Sequence, residues 1–279
     1  MKKAYCLYDT TTNIEYSAES LRIYLPTKKG YVNYNIVHSV REEINANVWR
    51  LGQAFACDDS LNSLYELTRF GAEWDMAVTI VGRDDFIGGS NHGDETTYFI
   101  ELEIDGIRAE LSSLDKVTEF ESLKFTVESI GFDPDDHESK ALIHKKEYLI
   151  NDMGFTVDQK VKWLSDYSLE SCYLAMMPPL KSLTETFFTD NKVVHKTIEG
   201  QSVINGTKSA TVYGKESGAW FSMSILEYPR IMEKTRFLLT DNGGSPYNKM
   251  YFVVCSSHKL EKGEEWHSSV RYNIDIENK

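Results

Sequence analysis

The residues best suited to chemistry lie in one short stretch, Gly88-Gly89-Ser90-Asn91-His92-Gly93-Asp94-Glu95. Its glycines free the backbone to take positive φ or to approach a ligand closely. A histidine is the natural acid/base near neutral pH, and Asp94 or Glu95 can orient it or raise its pKa. His92 is therefore the first catalytic candidate, with Asn91, Asp94 and Glu95 as substrate contacts. The same groups can ligate a divalent ion, but neighbours in one loop rarely complete a site, so no metal is assigned. The plainer reading is a glycine-rich hairpin loop closed by Asx-type turns.

Two further segments carry candidates. Arg108 and Glu110 alternate along Arg108-Ala109-Glu110, so on a strand they share a face and line a cleft together or form a solvated ion pair of little energetic weight. Tyr247-Asn248-Lys249-Met250-Tyr251-Phe252 places phenols beside a lysine and an amide. There Tyr251 is a candidate proton-transfer group, with Tyr247, Asn248 and Lys249 as substrate contacts; aromatic packing in a core strand is the alternative. His38, His137, His144, His195, His258 and His267 share no spacing. The sequence has no nucleophile elbow and no phosphate loop. Nothing supports hydride, phosphoryl or electron transfer, and no cofactor is expected.

The elements that must hold these residues are strands. Alternation with period two runs through 155–163, 123–128 and 271–276, the mark of strands with one buried face. Met250–Cys255 and Ala219–Leu226 are apolar on both faces and read as central strands. Asp105-Gly106 between 98–104 and 107–111 is the pair a two-residue type I′ hairpin requires. Loops are expected at 213–218 and 241–246, and a hairpin tip at Asp133–Glu138. Helical signals are short: two turns over Ser60–Leu67 and a turn starting near Pro178. Many strands without crossover helices predict an all-β fold, an antiparallel two-sheet β-sandwich of jelly-roll type with few short helices. The expected organisation is one domain over 1–279, with residues 1–50 as an additional strand layer.

Composition narrows the function. The chain has 279 residues, 16 tyrosines, 13 phenylalanines and 5 tryptophans, a bias that suits pleated, half-buried surfaces. Its formal net charge of −13 repels polyanions, so nucleic acid is not an expected partner, and an acidic polysaccharide would need a locally basic pocket. Cys6, Cys57, Cys172 and Cys255 are far apart with no Cys-x-x-Cys pair, which excludes a zinc cluster of the usual spacing. No apolar run reaches transmembrane length and the first residues lack a signal-peptide apolar region, so no membrane is expected. Synthesis in the cytoplasm, as a free protein or a phage or virion component, is the expected setting.

Arg108-Ala109-Glu110-Leu111 resembles the Arg-x-Glu-Leu strand of jelly-roll polysaccharide lyases and related bacterial and phage carbohydrate-active proteins. Lys249-Met250-Tyr251-Phe252 is similar to their Lys-x-Tyr-Phe strand. The resemblance implies His92 and Tyr251 as base and acid, with Arg108 and Asn248 beside them. The family's Gln-x-His strand is missing: Gln201-Ser202-Val203 has no histidine. The expected partner is a polysaccharide or surface glycan, with self-association into a homo-oligomer also compatible with the sequence. Three readings follow: a glycan-cleaving enzyme (lyase or hydrolase) using His92, a non-catalytic carbohydrate-binding or host-recognition module, and a structural β-sandwich of a phage tail.

Overall fold

The computed structural model describes residues 2–11, 17–69, 74, 76–83, 86–88, 92–151, 154–190, 194–196, 201–229, 236–241, 244–255 and 257–277. Among them there is no α-helix; the helical turns are 3-10, at Glu42–Ile44, Leu111–Leu114 and Lys181–Leu183. The rest is strand and connection, so the expected all-β, two-sheet sandwich is what the chain forms. No described helix is long and apolar enough to cross a membrane.

The larger sheet runs in the order Thr118–Phe120, Ala4–Asp9, Ser17–Pro26, Tyr31–Arg41, Ala46–Cys57, Glu95–Ile104, Leu123–Phe132, Lys140–Asn151, Gly154–Trp163, Glu265–Ile276, Ala219–Glu227, Ser209–Gly214, Thr186–Thr189, Val194–Lys196. Strands 4–57 thus extend one end of this sheet. Its pairings are antiparallel except where Ala46 and Asn47 meet Glu95 and Thr96. The smaller sheet runs Gln201–Asn205, Arg236–Asp241, Asn248–Cys255, Tyr167–Met177, Ala77–Ile80, Phe86–Ile87.

Alternation in the sequence becomes inside and outside. Along Gly154–Trp163, Phe155, Val157, Gln159, Val161 and Trp163 are buried while Lys160 and Lys162 are exposed. These side chains meet Leu174 and Met177 of the smaller sheet in one apolar core. Each fully buried Phe or Leu contributes about 2 kcal/mol, so a polar residue on that inner face needs an internal partner. The Asp105-Gly106 turn forms as expected: φ is 52° and 77°, and Ile104 faces Ile107. The Asp133–Glu138 tip joins Leu123–Phe132 to Lys140–Asn151.

Two expectations fail. Ser60–Leu67 is not helical; Ser63–Glu66 is a short strand on the edge of Ala46–Cys57. The Asp58 carboxylate accepts the backbone N–H groups of Ser60 and Asn62, and Leu61 turns to φ 67°, so a tight Asx turn interrupts any helix. Ser63–Glu66 then takes its backbone partners from Ala46–Cys57. Ala219–Glu227 is central, but only one face is fully covered: Phe221 and Met223 are buried, Trp220 and Ser222 half-buried.

Candidate functional site

Tyr251 and Tyr173 are set by strand phase. Each lies between residues that point into the core, Met250 and Phe252 for one, Cys172 and Leu174 for the other, so both rings face outward from the smaller sheet. Their centroids are 4.5 Å apart. Phe86, on the edge strand, lies 6.0 Å from Tyr173, and the His92 ring lies 4.5 Å from Phe86. At the other end Lys249 Nζ stands 5.6 Å from the Tyr251 ring centre and 5.9 Å from that of Tyr247. The result is a continuous track of half-buried rings, His92–Phe86–Tyr173–Tyr251, ending in a lysine between two tyrosines.

Four sequence candidates therefore converge: His92, Tyr251, Lys249 and Tyr247. Phe86 and Tyr173 complete the track and were missed. Tyr173 is legible in hindsight as the aromatic at the outward phase of Ser171-Cys172-Tyr173-Leu174. Asn248 has the opposite phase; it is buried, and its amide donates to Thr184 Oγ1 at 3.2 Å. Asn91 lies outside the described residues.

Arg108 and Glu110 do not join the track. Arg108 faces Glu103, eight residues along the strand from Glu95, or roughly 26 Å at a strand's rise. It pairs with Glu101 at 3.4 Å on the exposed surface. The expectation that Arg108 and Glu110 share a strand face also fails. The strand ends at Ala109, and Glu110 begins a 3-10 turn whose Ser113 N–H and hydroxyl its carbonyl accepts.

The carboxylates beside His92 in the sequence serve other imidazoles. Gly93 (φ 83°) and Asp94 (φ 53°) turn the chain, the Asp94 N–H donates to the Ile44 carbonyl, and the Asp94 carboxylate meets His137 Nδ1 at 2.6 Å. That hydrogen bond, aided by the same negative charge, raises the His137 pKa above its ordinary value. Glu95 points the other way, into the sandwich.

There it joins a buried polar row that the sequence reading passed over. Glu95 accepts from Ser129 Oγ and stands 3.4 Å from His144 Nδ1. His144 Nε2 is 3.1 Å from Gln159 Oε1, and Gln159 Nε2 donates to the Leu174 carbonyl at 2.7 Å, tying one sheet to the other. Lys146 Nζ donates to the Trp49 carbonyl at 3.1 Å. Burial alone would push the Glu95 carboxyl up, but the nearby Lys146 charge and the His144 and Ser129 contacts outweigh it and hold it well below the usual range. The signal was present: His144 and Lys146 occupy the phase of Leu142, Tyr148 and Ile150, and Gln159 that of Val157 and Val161. Among the described residues no cluster of His, Cys, Asp and Glu has the geometry of a metal site.

No protein-family model matches this sequence, and no curated protein sequence matches it. Solved structures do. The chain superposes on the galactosidase domain of the α-galactosidase-sucrose kinase AgaSK with a TM-score of 0.55 at 9% identity, covering 92% of this chain and 41% of that one. An α-galactosidase from Lactobacillus brevis gives 0.51 at 8% identity (98% and 39% covered). The GH36 α-galactosidase AgaB from Geobacillus stearothermophilus gives 0.50 at 8% (94% and 40%). The chain thus spans about two fifths of the length of these proteins. At such identity the likeness is one of fold.

Proposed function

We propose that this chain is the glycan-binding part of a carbohydrate-active protein, holding a polysaccharide or surface glycan along the outer face of its smaller sheet. The observation that carries this reading is the ring track His92–Phe86–Tyr173–Tyr251. A pyranose presents an apolar C–H face and an equatorial rim of hydroxyls. Aromatic rings on a rigid sheet match the first at low entropic cost, and Tyr hydroxyls, Lys249 and His92 match the second. The fold shared with α-galactosidase domains supports a saccharide as the ligand class. A single domain over the whole chain is part of this reading.

The second reading is cleavage, by β-elimination or hydrolysis, with His92 as acid/base; it is favoured by the imidazole standing at one end of the track. Arg108, Glu110 and Asn248 do not lie on that face, and the lysine that does, Lys249, stands at the opposite end of the track from His92, so binding is the better-supported function.

The test is a glycan array followed by affinity electrophoresis of the wild type, Tyr173→Ala and Tyr251→Ala. Either substitution should weaken binding about tenfold, the loss of roughly 1.4 kcal/mol expected for a central aromatic contact, with folding unchanged by circular dichroism. Binding that survives both substitutions sinks the proposal. Reducing ends, or new ultraviolet absorbance from the conjugated product of elimination, lost in His92→Ala, would favour the enzyme. No glycan bound at all would favour a structural role.

A further inference from the structure

Two cysteines meet across neighbouring strands of the smaller sheet. Cys172 lies within Tyr167–Met177 and Cys255 ends Asn248–Cys255, and the register of this antiparallel pair sets one directly opposite the other. They are more than eighty residues apart in the sequence. Directly opposed residues share a sheet face and stand about 4.5–5.5 Å apart at Cα. A disulfide spans roughly 4.4–6.8 Å between the same atoms, so the backbone pairing fits the bond.

Strict alternation would have kept the two apart. Cys172 and Phe252 both belong to the core, and counting on by twos from Phe252 would leave Cys255 on the outer face. The ladder slips between Cys172 and Tyr173, however, because Tyr173 faces Val253 and Val254 is the extra residue. Such a bulge sets two residues against one and returns Cys255 to the face of Cys172. The other cysteines have no such arrangement. Cys6 faces Ile23 and Thr118, Cys57 faces Tyr31 and Ser63, and the two belong to separate apolar clusters. Burial pushes the Cys6 thiol up to about 12 and raises that of Cys57, which keeps both from the reactive thiolate form.

We propose that Cys172 and Cys255 are a redox pair, joined as a cross-strand disulfide when the protein meets a small-molecule disulfide such as oxidised glutathione. Cys172 is fully buried, so exchange begins with a local opening at the strand end that carries Cys255, which costs less than global unfolding. The Cys255 thiolate attacks the glutathione disulfide, forming a mixed disulfide and releasing one glutathione thiolate. Cys172 then attacks the Cys255 sulfur and releases the other glutathione. The protein gives up two electrons and two protons, and one glutathione disulfide becomes two thiols. The bond staples a strand end across its bulge and closes a long loop, which restricts the unfolded chain. Tyr173 and Tyr251 ride on the same two strands, but the pairing of the cysteines is independent of what those rings bind.

The test is to incubate the full chain with oxidised glutathione or with dithiothreitol, alkylate the remaining thiols in denaturant, and map peptides by mass spectrometry without reduction. Oxidation should remove the mass of two hydrogens and join the Cys172 and Cys255 peptides, while Cys6 and Cys57 are alkylated. The oxidised protein should unfold at least about 5 °C above the reduced one. Cys172→Ala and Cys255→Ala should each abolish that difference, whatever their own stability; the peptide map needs neither variant. Alkylation of both cysteines after oxidation, glutathione left on either one, or a bond that includes Cys6 or Cys57 would each overturn the inference. So would an oxidised protein no more stable than the reduced one.

Discussion

His144 Nδ1 stands 3.4 Å from the Glu95 carboxylate in the interior of the sandwich, each residue about 2% exposed or less. Breaking a buried charge cluster by removing one member leaves the others uncompensated. Glu95→Gln should therefore destabilise the protein by about 3–5 kcal/mol in urea titrations, and adding Lys146→Met should restore part of that. A change below about 1 kcal/mol would mean the cluster is not coupled.

The same carboxyl makes a pH prediction. Its folded pKa is depressed, so the unfolded chain takes up the proton first. The stabilisation is complete above the ordinary glutamate value of about 4.3 and drains away as pH falls below it towards the folded value. Unfolding midpoints of the wild type should fall over that acid range more steeply than those of Glu95→Gln; parallel curves would remove Glu95 as a cause.

His137 titrates the other way. Its hydrogen bond to Asp94 raises its pKa, so the stabilisation is full below the ordinary histidine value of about 6.5 and is lost as pH rises through the folded one. NMR should find His137 titrating above ~6.5, returning to the ordinary value in Asp94→Asn. An unchanged midpoint would break the assignment.

Two glycines with similar φ should differ in cost. At Gly106 (φ 77°) an added methyl meets nothing within 4 Å, so Gly106→Ala should cost only the backbone strain, about 1 kcal/mol. At Gly93 (φ 83°) the methyl would collide with the Ile44 carbonyl that anchors Asp94. Gly93→Ala should cost more and shift the His92 and His137 NMR signals, which Gly106→Ala should leave alone.

The Tyr173–Tyr251 contact should be measurable in the absence of ligand. A double-mutant cycle to alanine should give a coupling of about 0.5–1.5 kcal/mol in stability. Additive losses would show that the rings are neighbours without interaction.

The sequence by itself determined the strands and most of their turns. Alternation at 155–163 and the Asp105-Gly106 pair are local: a two-residue period selects one buried face, and positive φ at both turn residues selects one hairpin. The outward phase of Tyr251 was not legible, because Met250–Cys255 is apolar on both faces and only the packed sheet shows Met250 and Phe252 to be the inward pair. What only the tertiary structure decided was partnership across distance. Asp94 and Glu95 adjoin His92 in the chain, yet successive strand residues point to opposite faces, and their imidazoles come from His137 and His144, more than forty residues on. Arg108 was separated from His92 by the length of a strand, and Glu110 from Arg108 by the turn that ends one. Phe86 and Tyr173 joined the track because sheet order, a long-range hydrogen-bonding choice, set Tyr167–Met177 beside Asn248–Cys255 and left only Ala77–Ile80 between it and Phe86–Ile87.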